Sequence, residues 1–348
     1  MTTVRARGFS RRAAAAVSAL LLAACASTPG PCPEPASPGQ DKGRVVARSE
    51  RLLVYLPGAG DTLAELAERY LGSADKAWQI GELNGDIRQP LPGRPMVLPL
   101  EMPNPLGVTA EGARAVTVLS YHRVASGNSK MTIAPERLQA QLEWLAASGW
   151  HVVRLGELAA FLAGRQPLPQ RAVVITFDDG YESVYRNAFP LLRRLGMPAT
   201  MFVYTDFIGA RDAVSWAQMD EMLRSGLIDI QAHSKSHANL AERAPGESDA
   251  AYRARVETEL RVPRQLIERM LASRAHPVRY LAYPYGDAND KVLEAMQRSG
   301  YELGLTVTPG TNPFYAAPLL LKRQMIFGDT ELDEFKARLQ GRRLAGRP

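Results

Sequence analysis

Two carboxylates stand side by side in the stretch RAVVITFDDGYESV (Arg171–Val184), where an apolar, β-branched run ends at Asp178 and Asp179. Adjacent like charges away from bulk water disfavour each other's ionisation. A pair placed there therefore calls for a cation. Candidates for its other ligands follow a second apolar run, in LIDIQAHSKSHANL, where His233 and His237 lie four apart. That spacing can bring two imidazoles to one metal ion, at roughly 2.0–2.1 Å each for zinc. A third polar signal, His122, follows AVTVLSY, and a fourth follows VRYLA, where Tyr283 and Tyr285 flank Pro284 ahead of Gly286. The blander readings are a helix cap and turn for the aspartates, capping or surface histidines for the pair, and a satisfied core histidine for His122. Of the five histidines, His151 begins a strand and reads as structural. His276, which precedes a proline in a loop, is assigned no role.

Such residues need elements that bring them together. From Ala115 onward apolar runs alternate with helical stretches: AVTVLSY, WHVVRL, AVVITF, ATMFVY, LIDIQA, VRYLAY, YELGLTV and LLLKRQMIF. A helix over Pro135–Ala147 carries proline in its first turn, and Ser215 opens another in a capping-box pattern. This alternation predicts an α/β fold with parallel strands and crossover helices. Seven or eight units favour a (β/α) barrel, in which all strand C-termini share one face. The four polar signals would then meet.

TFDDG, HSKSH and YLAYPYG together resemble the NodB-type polysaccharide deacetylases, carbohydrate esterase family 4, over about 115–327. LSYHRV and the form of the third motif are most similar to the branch acting on poly-N-acetylglucosamine. The resemblance implies a deformed (β/α)7 barrel and a divalent metal, often zinc. It implies Asp179, His233 and His237 as metal ligands and Asp178 as the base that deprotonates the attacking water. It also implies the backbone N–H of Tyr285 as an oxyanion donor. Two departures from the family's pattern matter. Ala282 stands where the third motif usually has an arginine, and Arg323 is the candidate replacement. No histidine follows His276, so the family's usual acid is missing. His122 is the candidate proton donor, with water at the metal as the alternative.

The N-terminus reads RARGFSRRAAAAVSALLLAACAS. A basic stretch leads into an apolar run from Ala13 to Ala24, too short to span a bilayer and built like an export signal. Leu22-Ala23-Ala24-Cys25 resembles the bacterial lipoprotein box, which implies lipidation of Cys25 and anchoring to the cell envelope. Ala26 favours the outer membrane, facing the periplasm. A plain signal peptide is the alternative. Residues 25–50 read as a Pro/Gly/Ser-rich tether, in which Cys32 is incidental. Residues 51–101 read as a βααβ unit resembling a LysM module in its GDTL, its tyrosine, tryptophan and Asn84, and its final Pro-Gly turn. That resemblance implies binding of N-acetylglucosamine-containing glycans. A linker over 102–114 leads to the barrel, 115–340. The net charge falls from +6 to +2 when Arg5, Arg7, Arg11 and Arg12 of the signal are set aside. No nucleic-acid partner is expected from so small an excess. The expected activity is N-deacetylation of an N-acetylglucosamine polysaccharide, with an exopolysaccharide favoured and peptidoglycan the alternative substrate. The alternative of another class is a glycan-binding lipoprotein whose barrel has lost activity.

Overall fold

The computed structural model describes residues 42–110, 112–127, 129–274, 276–340 and 344–345. The stretch read as an export signal, Cys25 and Cys32 lie outside the described residues. No helix among those described is long and apolar enough to cross a membrane.

A small unit comes first. Strands β1 (Arg44–Arg48), β2 (Leu52–Leu56) and β3 (Met96–Pro99) form an antiparallel sheet in the order β1-β2-β3. Helices α1 (Leu63–Leu71) and α2 (Ala77–Leu83) lie between β2 and β3 in the chain. Thr62 caps α1 by accepting from the Glu65 N–H at 3.2 Å, and Gly72 ends it in the left-handed region. Leu53, Tyr55, Leu66, Ile80, Met96 and Leu98 make the core. Asn84 ties the end of α2 to β3, donating to the Val97 carbonyl at 2.6 Å and accepting from its N–H at 2.8 Å. β1 falls inside the stretch read as a tether. Its β-branched pair, Val45 and Val46, lets it pair along the open edge of β2, although all five residues stay exposed.

The larger unit is built on parallel strands β4 (Gly112–Tyr121), β5 (Ala172–Phe177), β6 (Ala199–Val203), β7 (Ile228–Ala232), β8 (Tyr280–Ala282), β9 (Leu303–Leu305) and β10 (Gln324–Met325). They pair in the order β9-β8-β7-β6-β5-β4-β10, each neighbour parallel. Leu321 bridges to Leu305 of β9 just before the chain enters β10, so the curved sheet closes on itself. This is the expected deformed (β/α)7 barrel. Helices α3 (Pro135–Ala147), α4 (Leu155–Leu162), α5 (Phe189–Leu195), α6 (Trp216–Arg224), α7 (Asp249–Met270), α8 (Asp290–Arg298) and α9 (Leu332–Gln340) accompany it.

All six residues of β5 are buried, as a strand covered on both faces requires. Val173, Ile175 and Phe177 pack with the surrounding helices, while Val174 packs with Val118, Phe202, Leu305 and α4 in a second cluster. Two expected strands come out shorter. WHVVRL gives only His151–Val152, paired with the start of β5. LLLKRQMIF is split by a 3-10 turn at Pro318–Leu320 before the closing strand, because one segment must satisfy β9 first and β4 second. The small unit meets the barrel near the strand N-termini. Glu82 accepts from the Gln170 N–H at 2.5 Å and from Arg114 at 3.4 Å, and Arg114 also donates to the Leu168 carbonyl.

Candidate active site

The ladder between β4 and β5 ends at Tyr121 opposite Phe177. One step further, His122 and Asp178 leave the two strands together, and the Asp178 N–H still donates to the Tyr121 carbonyl at 2.9 Å. Next to them β7 delivers His233, whose N–H donates to Val203 of β6 at 2.8 Å. The sheet thus converts a separation of over 50 residues into adjacency.

Asp179, His233 and His237 converge. One carboxylate oxygen of Asp179 lies 3.4 Å from His233 Nε2 and 3.3 Å from His237 Nε2. The three ligand atoms lie within 4.8 Å of one another. Tetrahedral ligands at roughly 2.0–2.1 Å from zinc stand about 3.3–3.4 Å apart, so the donor set fits a divalent cation. His233 Nδ1 donates to the Ala282 carbonyl at 2.7 Å. That bond fixes the tautomer and turns Nε2 toward Asp179, the usual arrangement around a metal-ligating histidine. His233 and His237 meet edge to face, with ring centroids 4.9 Å apart.

The backbone here is strained. Four of the five non-glycine residues with positive φ among those described are Asp179 (74°), Ser234 (69°), His237 (61°) and Tyr285 (61°). Such strain persists only where the surroundings enforce it, and it collects at functional sites. Gly180 continues the left-handed turn with φ 86°. A Cβ there would come within 3.1 Å of Val203 Cγ1, and the positive φ would strain any other side chain, so both favour glycine after the aspartate pair.

Asp178 belongs to a different arrangement. Arg323 grips it with two parallel bonds of 2.7 Å, one to each carboxylate oxygen. Arg323 has no solvent exposure and also donates to the Thr306 carbonyl at 2.8 Å and to Thr176 at 3.3 Å. Burial pushes the Asp178 carboxyl upward. The Arg323 guanidinium, with His233 and His122 nearby, outweighs it and holds the group below the usual carboxylate range. Arg323 therefore fills the place left open by Ala282.

His122 is 9% exposed, and its Nδ1 is buried without a hydrogen-bond partner. Burial lowers its pKa, opposed by the fields of Asp178 and Asp179. Tyr285 is 61% exposed, and its ring centroid lies 4.9 Å from that of His237. His151 is exposed, at the opposite end of β5. His276 Nε2 contacts the Ile230 carbonyl at 2.5 Å, low on β7 and away from the cluster.

Sequence reasoning missed an aromatic wall. The Tyr204 ring stacks on Phe207 at 5.1 Å and lies 5.1 Å from His237. Tyr181 meets Phe207 edge-on at 5.6 Å, under the Arg123 guanidinium at 4.3 Å. The signal was present, since Tyr204 directly follows a barrel strand and Tyr181 follows DDG.

Residues 165–304 match the family described as Polysaccharide deacetylase. The chain is 29% identical over 203 residues to a putative polysaccharide deacetylase, YxkH, of Bacillus subtilis, covering 58% of this chain and 68% of that protein. It is 25% identical over 228 residues to a poly-β-1,6-N-acetyl-D-glucosamine N-deacetylase of Staphylococcus aureus, covering 58% and 77%. The solved structure of IcaB from Ammonifex degensii superposes with a TM-score of 0.58 at 28% identity, over 65% of this chain and 97% of that one.

Proposed function

We propose that this chain, which carries a polysaccharide deacetylase domain, is a metal-dependent hydrolase that removes N-acetyl groups from an N-acetylglucosamine polysaccharide at the cell envelope. The observation that carries the reading is the convergence of Asp179, His233 and His237 beside an arginine-clamped Asp178. The substrate class is supported by the similarity to the Staphylococcus aureus enzyme, whose name specifies poly-β-1,6-N-acetyl-D-glucosamine.

Asp179, His233 and His237 would hold the divalent cation, which would polarise the acetamide carbonyl and make water a better nucleophile. The chain's own groups do the rest. Asp178, ionised and held still by Arg323, accepts the proton of the attacking water. The new C–O bond forms as the carbonyl oxygen gains charge, and the backbone N–H of Tyr285 donates to that oxygen. The C–N bond then breaks. His122, which leaves β4 beside Asp178 on the same rim, protonates the departing amine. Acetate and a free amino sugar result. Tyr181, Tyr204, Phe207 and Tyr285 offer apolar faces on which sugar rings can lie.

The small unit is the glycan-holding module of this reading, resembling LysM. A cavity of about 980 Å³ lies between its loops around Asp61 and Arg88 and the underside of the barrel at His151 and Arg171, with Trp78 in its wall. Lipidation of Cys25 anchors the protein to the outer membrane, facing the periplasm. The support is the lipoprotein-like sequence alone, and labelling with a radioactive fatty acid should disappear in Cys25→Ser.

Acetate release tests the reading. Poly-β-1,6-N-acetylglucosamine should be deacetylated faster than chitooligomers or peptidoglycan. Chelation should abolish the activity, and added divalent metal should restore it. Faster turnover of peptidoglycan would reassign the substrate. Absence of acetate release from all three, with glycan binding retained, would leave a glycan-binding lipoprotein.

A further inference from the structure

His233 and His237 can act on one ion only if the three residues between them hold an unfavourable path. Ser234 and His237 both sit at positive φ, and neither is glycine. Within the loop, the His237 N–H donates to Ser234 Oγ at 3.0 Å. The larger constraint comes from outside it. Glu259, in the middle of α7, points a carboxylate into the loop and is only 7% exposed. One of its oxygens accepts from the N–H groups of both Lys235 and Ser236, each at 2.9 Å. The other accepts from the Ser236 hydroxyl at 2.7 Å. A single buried carboxylate thus satisfies every polar hydrogen that two successive loop residues turn inward.

We propose that Glu259 is a positioning residue for the metal site. It sets the loop conformation that brings His237 Nε2 to the same point as His233 Nε2, without touching the ion itself. The assignment rests on the metal reading above. Two features separate it from ordinary packing. Glu259 occupies the buried side of α7 with Tyr252, Val256, Leu260 and Ile267, where a carboxylate is costly unless fully hydrogen-bonded. Its partners are also confined to the segment between the two histidines. The chemistry is a charged acceptor on consecutive backbone N–H groups, among the stronger neutral-to-ion hydrogen bonds.

The test is Co2+ titration of the metal-free full chain, following the visible absorption band and the dissociation constant. Outer-sphere partners of metal ligands typically contribute about 10–100-fold in affinity. Glu259→Ala should weaken Co2+ binding by about that range and change the band. Glu259→Asp keeps the charge but is one methylene too short, and should weaken it by about tenfold. Glu259→Gln retains an oxygen acceptor and should recover part of the loss. Ile267→Val on the same helix should lower the melting temperature without moving the dissociation constant. Binding of Co2+ by both Glu259→Ala and Glu259→Asp as tightly as by the wild type overturns the proposal and leaves the metal reading intact. If Glu259→Ala fails to fold, Glu259→Asp alone decides. A wild-type chain that binds no Co2+ through His233 and His237 overturns both.

Discussion

The proposed mechanism makes Asp178 a base although it is buried, and Arg323 is the group that can keep it ionised. A carboxylate without solvent takes up a proton unless a charge opposes it, and two 2.7 Å bonds from one guanidinium oppose it. Removing one partner of a buried pair costs roughly 3–5 kcal/mol, because the other charge is left behind. Arg323→Met should therefore lower unfolding stability by about 3–5 kcal/mol near neutral pH, measurable by urea titration. The sign with pH follows from the direction of the shift. In the wild type the folded Asp178 pKa lies below the unfolded one. Its stabilisation is present above the unfolded pKa and is lost as pH falls through the folded value. In Arg323→Met the largest charge opposing burial is gone, only His233 and His122 still oppose it, and the folded pKa rises above its wild-type position. The deficit should thus be smallest in acid and grow as pH rises, and the acid limb of deacetylation should move to higher pH. An unmoved acid limb would mean that Asp178 is not the base. In the proposed mechanism His122 carries the complementary step. Its substitution by alanine should reduce kcat by about 10²–10⁴ and flatten the alkaline limb, where an acid must stay protonated, while metal content stays at the wild-type level. Loss of metal in His122→Ala would make it a ligand or a support, and an unchanged kcat would pass the proton to another group.

The elements explain which parts of this site can be read from the chain alone. Strand ends are legible because a parallel strand buried on both faces is a mostly apolar run, and a carboxylate or imidazole follows directly where each of these runs stops. Asp178, Asp179, His122 and His233 all sit at such ends, and the barrel topology alone brings them together. Strand lengths were less legible. The run LLLKRQMIF looks uniform, yet Leu321 pairs with β9 and Gln324–Met325 with β4. Nothing local in those residues records that the segment must serve two neighbours. Arg323 was readable as a candidate replacement for Ala282 because it stands, next to Lys322, as a charge inside that apolar run. Glu259 escaped notice for the opposite reason. It lies among the charged residues of ETELRVPRQ, and its burial becomes visible only once α7 is placed against the loop after β7. The tether reading failed at Arg44–Arg48 because an exposed edge strand carries no amphipathic signal. Its five residues bury almost nothing and are ordered by backbone pairing with β2.

The whole molecule places two features at opposite ends of one strand. Arg171, just before β5, lines the cavity shared with the small unit, and Asp178 and Asp179 stand just after it. At about 3.3 Å per residue the two ends are roughly 20 Å apart. A short oligosaccharide bound at the catalytic rim cannot reach the cavity, whereas a polymer can engage both. Joining two sites through one ligand raises overall affinity without adding contacts at either. The small unit should therefore affect affinity for long chains and leave the chemical step alone. Trp78 is the large apolar face in the cavity wall, and aromatic anchors of this kind often carry 1 kcal/mol or more of binding. Trp78→Ala should raise KM for long poly-N-acetylglucosamine by about tenfold, equivalent to about 1.4 kcal/mol. It should leave kcat on the polymer, and both constants on a short oligomer, unchanged. Equal losses on short and long substrates would place the effect in the barrel. An unchanged KM on the polymer would leave the cavity as a seam between two units with no part in holding substrate.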